Sequence, residues 1–282
     1  MELARTIKSI RSLVKAARSK EKKIGFVPTM GALHIGHISL IEAARKNTDF
    51  VVVSIFVNPT QFGPGEDFEK YPRPFDADLE ICKKAGADVV FAPSAKEMYP
   101  MENMTWVNVE KLTAPLCGRC RPGHFRGVAT VCTKLFNIVA PDIAFFGQKD
   151  AQQVAIVKKM AADLNMPIEI VVCPTVREKN GLAISSRNRY LTTQEKKDAA
   201  SIYKSLLKCE QMVKEGIRET EPIIAGMRKI LSPVCSIEYI SIVDAQTLET
   251  IDKIAGPVIA AVAVKIGSTR LIDNILIDVL AG

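Results

Sequence analysis

No apolar run in the 282-residue chain approaches the roughly 18 residues needed to cross a bilayer. The best candidate, Phe50 to Val57, spans eight residues and contains Ser54, so no membrane partner is expected. Aromatic side chains are scarce, at 6% with one Trp and five Tyr, and no basic cluster interleaves with them. The stacking platforms that bind nucleic acid are therefore missing, and no nucleic-acid partner is expected. The net charge of +7 still suits an anionic ligand such as a phosphorylated small molecule. No Gly/Ser linker, internal repeat or secretory apolar core is present. Seven cysteines, an odd number, point to reduced thiols in a cytoplasm and not to a disulfide frame. Cys117-Gly118-Arg119-Cys120 has CxxC spacing, but a structural zinc needs four ligands and no second pair follows. Zinc is not expected there.

What is present is the composition of a folded domain, 48% hydrophobic and 24% charged, far from that of disordered chains. Between residues 24 and 175 short β-branched runs alternate with helical stretches, the pattern of a parallel sheet covered on both faces. The expected strands are Ile24–Val27, Phe50–Val57, Val89–Ala92, Ile143–Phe146 and Ile168–Cys173; the expected helices are Gly36–Asn47, Phe75–Ala85, Gly127–Ala140 and Ala151–Leu164. Before them, Leu3, Ile7, Ile10, Val14 and Ala17 form an apolar stripe opposed to basic residues, read as a first helix with a solvated face. After residue 177 a polar loop leads to a helix opened by a Thr192–Glu195 capping box. A helix over Pro222–Leu231 and strands Ile237–Val243, Val258–Ile266 and Thr269–Asp273 follow. The expected class is α/β: a Rossmann-like domain over residues 1–176 and a smaller C-terminal α+β lid domain over residues 177–282.

Two of the three histidines stand in Val27-Pro28-Thr29-Met30-Gly31-Ala32-Leu33-His34-Ile35-Gly36-His37, where the first strand ends and a helix begins. In open α/β sheets ligands bind beyond the carboxyl ends of strands, and a helix N-terminus there offers N–H groups to phosphate. Histidines at i and i+3 share one side of the turn, and imidazoles can stabilise charge that builds during phosphoryl chemistry. A second such junction is Gly147-Gln148-Lys149-Asp150. The charge of Lys149 opposes the helix dipole unless an anion is near, and the residue reads as solvent-facing in the empty site.

His34-Ile35-Gly36-His37 resembles the HxGH signature of nucleotidyltransferases related to class I aminoacyl-tRNA synthetases. Pro28-Thr29-Met30-Gly31, Asn58-Pro59-Thr60-Gln61-Phe62, Tyr71-Pro72-Arg73, Arg121-Pro122-Gly123-His124-Phe125-Arg126-Gly127, Phe146-Gly147-Gln148-Lys149-Asp150 and Ser185-Ser186-Arg187-Asn188 resemble, in order, the pantothenate synthetase (pantoate-β-alanine ligase) family. The likeness covers most of residues 24–191; beyond 192 it lies in length and placement.

The resemblance implies an ATP-dependent condensation of (R)-pantoate with β-alanine through an enzyme-bound pantoyl adenylate, releasing AMP and pyrophosphate. It implies Mg2+ with ATP and a homodimer. Residue by residue, it implies that Met30, Gly31, Ala32, Leu33, His34, Ile35, Gly36 and His37 bind ATP, with His37 the proton donor and His34 and Lys149 also catalytic. Gly147, Gln148, Lys149, Asp150, Val176, Ile184, Ser185, Ser186 and Arg187 complete the ATP site; the residues themselves leave Asp150 either capping the helix or standing near the magnesium. Gln61 matches the position that binds pantoate beside β-alanine, and Gln153 a second pantoate position. The family often has Glu in place of Gln148, so that residue carries no catalytic role. His124 is read within a lid or structural turn, with Arg126 as a contact. The rivals are a nucleotidyltransferase that leaves the nucleotide on its acceptor, and a basic RNA-binding module.

Overall fold

The computed structural model describes residues 1–279. The chain divides into two compact units, the first made of Met1–Thr113, Arg121–Gly147 and Gln153–Pro174, the second of Ala114–Cys120, Gln148–Gln152 and Thr175 onward. The boundary expected between 176 and 177 thus falls just after Pro174, while two short earlier segments belong to the later unit.

The first unit is built on six parallel strands, β1 (Glu2–Ala4), β2 (Ile24–Thr29), β3 (Phe50–Ile55), β4 (Val89–Phe91), β5 (Ile143–Gly147) and β6 (Glu169–Cys173), in the order β1-β4-β3-β2-β5-β6. Its helices are α1 (Ile7–Arg18), α2 (Ile35–Asn47), α3 (Phe75–Lys84), a short α4 (Ala95–Met98), α6 (His124–Val139) and most of α7 (Ala151–Asp163); α5 (Cys117–Cys120) belongs to the second unit. Val51, Val52 and Val53 are all fully buried, which is why β3 reads as an unbroken apolar run. On one face Val27, Val53 and Phe145 pack with Leu40, Ile41 and Ala44 of α2 and Cys82 of α3. On the other, Phe26 meets Phe136 of α6 edge-on, at 6.3 Å and 82°. Each such buried side chain contributes about 1.5–3 kcal/mol.

Leu3 departs from its expected place in the first helix. It lies in β1, paired with Val90 of β4, and α1 starts only at Ile7, where Thr6 Oγ1 accepts the Ser9 N–H at 3.1 Å. The other strands and helices stand within a few residues of their expected bounds. From β2 the chain turns toward β3 and from β5 toward β6, on opposite sides of the β2–β5 pair. The carboxyl ends of those two strands are the switch point at which open sheets bind ligands.

In the second unit α8 (Thr193–Lys214) begins at the expected capping box, Thr192 N–H donating to Glu195 Oε2 at 2.7 Å and Glu195 N–H to Thr192 Oγ1 at 3.2 Å. Then come α9 (Thr220–Leu231) and an antiparallel sheet of β7 (Ser236–Asp244), β8 (Val258–Ile266) and β9 (Thr269–Ile277). Leu206, Ile223, Met227, Val262 and Val264 form its core. The expected class, a Rossmann-like parallel sheet domain and a smaller α+β domain, is the one observed. Among the described residues no helix is long and apolar enough to cross a membrane.

Candidate active site

Beyond the carboxyl end of β2 the chain makes a tight reversal at Gly31 and Ala32, with φ of +81° and +51°. A Cβ on Gly31 would come within 2.9 Å of Asp78 Oδ2, so only glycine fits. Asp78, 1% exposed on α3, accepts the Ala32 N–H at 2.8 Å and the Leu33 N–H at 2.7 Å. This buried carboxylate steers the chain from β2 into α2. His34 is the N-cap of α2 and His37 lies one turn in, with ring centroids 4.1 Å apart and planes 34° from parallel. The His34 N–H donates to His37 Nδ1 at 3.3 Å, so in the neutral ring the proton of His37 sits on Nε2. A Cβ on Gly36 would meet the His34 ring at 3.0 Å; its absence lets that ring lie against the helix. The first turn of α2 has no acidic residue, which leaves the positive end of the dipole to an anionic ligand.

Gln61 ends a 3-10 turn, Pro59–Gln61, after β3 and is 7% exposed. Its Oε1 accepts from Asn58 Nδ2 at 3.1 Å, and its Nε2 lies 3.2 Å from Met30 Sδ. Asn58 Nδ2 also donates to the Gly127 carbonyl of α6 at 3.2 Å. The Gln61 carbonyl accepts from His124 Nδ1 at 2.7 Å, while Arg121 donates to His124 Nε2 at 2.9 Å. A carbonyl can only accept and a guanidinium only donate, so Nδ1 is the donor and Nε2 the acceptor in these two bonds. Arg121 in turn makes two 2.6 Å bonds to Glu66. Burial raises the Glu66 carboxyl, but the Arg121 hydrogen bond and charge outweigh it and hold the group below its ordinary value. His124 is thus a structural anchor of the Gln61 turn, and Arg126 lies over the Trp106 ring at 4.7 Å. Gln153 is half-buried in the first turn of α7.

In the second unit Gln148–Asp150 form a 3-10 turn that continues into α7. Lys149 does not face solvent as expected: its side chain is 20% exposed, with Nζ 3.7 Å from Asp150 Oδ1. Asp150 and the nearby Asp273 supply the negative charge that the helix start lacks. Asn274 of β9 donates to the carbonyls of Gln148, at 3.0 Å, and Lys149, at 2.8 Å, and its Oδ1 accepts from Gln148 Nε2 at 3.0 Å. The Val176 carbonyl accepts the Ile184 N–H at 3.0 Å, Arg177 bridges Ala183, and Ser185 Oγ accepts the Arg187 N–H at 3.3 Å at the start of the turn Ser186–Tyr190. One loop therefore gathers Val176 and Ile184–Arg187.

In the first unit Gln61 meets Met30 and His34 meets His37; in the second, Gln148 and Lys149 are held by β9. Sequence reasoning assigned nothing to Asn58, Asp78, Asp273 or Asn274. The last two carried a signal, an adjacent Asp-Asn pair inside an otherwise apolar strand pattern. Cys117 is buried with Sγ 3.1 Å from Tyr239 Oη, and Cys120 is exposed. Among the described residues no three His, Cys, Asp or Glu side chains cluster in a way that could hold a metal.

The sequence model of the pantoate-β-alanine ligase family matches residues 2–276. A pantothenate synthetase of Acetivibrio thermocellus is 52% identical over 284 residues, covering 99% of this chain and all of that protein. The crystal structure of pantothenate synthetase from Thermus thermophilus superposes with a TM-score of 0.92 at 42% identity, covering 98% of this chain and 99% of that one. The pantoate-β-alanine ligase of Francisella tularensis, solved with β,γ ATP and β-alanine, superposes with a TM-score of 0.82 at 38% identity, over 98% of this chain and 97% of that one. Model, sequence and structure agree over nearly the whole length, and this chain belongs to the pantoate-β-alanine ligase family.

Proposed function

We propose that this enzyme condenses (R)-pantoate with β-alanine, using ATP, in two steps, with roles for His34, His37, Gln61, Lys149 and Gln153. The observation that carries this reading is the contact of Gln61 with Met30 at 3.2 Å. It sets the residue matched to pantoate against the segment matched to the nucleotide, so an acid and an α-phosphate bound by the two would be neighbours.

In the first step a pantoate carboxylate oxygen attacks the α-phosphorus, and the bond to the β-bridging oxygen breaks to release pyrophosphate. Gln61, its Oε1 already held by Asn58, keeps a defined orientation for the acid. The N-terminus of α2 and the Nε2–H of His37 donate to phosphate oxygens as charge shifts toward the leaving group. Lys149 adds a cation, and Val176 with Ile184–Arg187 holds the nucleotide. In the second step the neutral amine of β-alanine attacks the acyl carbon, the bond to the adenylate oxygen breaks, AMP leaves and the amine proton is lost.

Magnesium bound with ATP would neutralise phosphate charge as a Lewis acid. Asp150, 48% exposed beside Lys149, is the carboxylate that could reach such an ion, since magnesium characteristically takes one or two carboxylates and keeps substrate phosphates and waters as its other ligands. In the same reading the enzyme is a cytoplasmic homodimer, its seven cysteines suited to a reducing compartment.

The test is exchange of labelled pyrophosphate into ATP. With (R)-pantoate and no β-alanine, exchange should occur, and adding β-alanine should drain the adenylate to AMP and pantothenate. Exchange that ignores pantoate, or that never yields AMP once the amine is added, refutes the assignment.

A further inference from the structure

Strand β9 carries two consecutive polar residues that are both buried, Asp273 at 3% and Asn274 at 5% exposure, between the buried Leu271 and Ile277. Successive side chains leave a strand on opposite faces, so β9 turns polar on both faces at one register. Buried polar groups are tolerated when they are hydrogen-bonded, and the partners here are specific. Both N–H groups of the Asn274 amide go to the carbonyls of Gln148 and Lys149, and its oxygen receives the Gln148 side chain. Its backbone N–H donates to Asp273 Oδ1 at 2.8 Å. Asp273 receives Arg177 through two bonds, of 2.5 and 3.1 Å. Arg177 also donates to the Gly181 carbonyl at 3.1 Å and stacks 3.8 Å over the Tyr203 ring. One register of β9 thus fixes the turn that carries Lys149 and, through Arg177, the loop that begins at Val176.

We propose that Asn274, backed by Asp273, is a positioning residue for Lys149: it clamps the peptide carbonyls on either side of the Lys149 Cα and thereby sets the direction of the ammonium toward the phosphates of ATP. This rests on the reading of Lys149 as a triphosphate contact. A core-filling role would need no bonds to residues 148 and 149 and would not single out one half-reaction. Positioning through Lys149 acts on adenylate formation, where the triphosphate is present, and leaves the attack of β-alanine on a finished adenylate nearly untouched.

The experiment compares the full-length enzyme with Asn274→Ala, Asn274→Asp, Lys149→Ala and the double variant Lys149→Ala/Asn274→Ala. It measures pantoate-dependent pyrophosphate exchange against ATP concentration, the reaction of β-alanine with pre-formed pantoyl adenylate, and the unfolding midpoint. Asn274→Ala should lower kcat/KM for ATP in exchange at least tenfold and change the amine step less than twofold. In the Lys149→Ala background the same substitution should cost less than a further twofold, because residues that act as one unit are not additive. Asn274→Asp keeps the acceptor for Gln148 but removes both donors; it should show the same pattern, and it decides the matter if the alanine variant does not fold. Equal losses in both half-reactions, full multiplication in the double variant, or an unchanged exchange rate would overturn the proposal. A wild-type enzyme without pantoate-dependent exchange would instead overturn the functional reading on which it rests.

Discussion

Gly127 lies inside α6, where replacing glycine by alanine ordinarily stabilises a helix by about 1 kcal/mol. The structure reverses that sign. A Cβ at this position would stand 2.3 Å from the Thr60 carbonyl oxygen, 2.6 Å from its carbon and 2.8 Å from Gln61 Cα. All three are backbone atoms of the turn bearing Gln61, so no side chain can swing away, and reaching ordinary contact requires the turn to retreat by about 1 Å. Overpacking of this kind costs about 1–3 kcal/mol. The retreat also stretches the Asn58 bond to Gly127 and the His124 bond to Gln61, each worth about 0.5–1.5 kcal/mol net. After the helix gain is subtracted, Gly127→Ala should destabilise the protein by about 1–5 kcal/mol, centred near 3. Thermal unfolding should register this as a midpoint lowered by roughly 5–10 °C. In kinetics, KM for pantoate should rise, since an ångström of misplacement can cost about 100-fold in rate. A midpoint that rises, with KM for pantoate unchanged, would refute the claim that α6 braces the Gln61 turn.

Lys149→Ala should slow adenylate formation by about 2.7–4 kcal/mol of barrier, by analogy with removal of a preorganised donor; exchange within threefold of wild type would remove it from the site. Arg177→Met should cost about 3–5 kcal/mol, because it strands the Asp273 carboxylate in the interior. Burial already pushes that carboxyl up, with Arg177 and Lys149 offsetting part of the rise. The cost of the Arg177 substitution should therefore shrink as pH falls and Asp273 takes up a proton, and a cost independent of pH would argue against a stranded charge. Glu66, held below its ordinary value of 4.5 by Arg121, stabilises the fold above the unfolded-state value and loses that contribution as pH falls through the folded one. Chemical denaturation of wild type and Glu66→Gln should therefore differ at pH 7 and converge as the pH falls below the depressed folded-state value.

The central strands and the helix starting at His34 were legible because their buried residues are contiguous in sequence, and α8 announced itself by a local capping box. Strand β1 was not. Leu3 fits the helical period of Ile7, Ile10 and Val14, and only the distant partner Val90 makes it a strand. The expected end of β9 at Asp273 follows from the turn preference of Asp-Asn, which Arg177 and the 148–150 turn override. The histidine pair was visible from its motif. The carboxylate that shapes its loop was not, since Asp78 reaches the Ala32 and Leu33 amides across 46 and 45 residues. The solvent-facing expectation for Lys149 failed because its compensating charges include Asp273, far along the chain.

Strand β1 also bears on how the sheet protects itself during synthesis. Its three residues cover the outer side of β4, with Glu2 N–H donating to the Asp88 carbonyl and Ala92 N–H to the Ala4 carbonyl. Without them the apolar, fully buried Val89-Val90-Phe91 would present an open edge to any other extended chain, the usual route to edge-to-edge aggregation. The shield is made first and the edge it covers is made more than eighty residues later. A nascent chain therefore already carries the cover when the vulnerable strand emerges, and the pairing can close without waiting for the rest of the sheet.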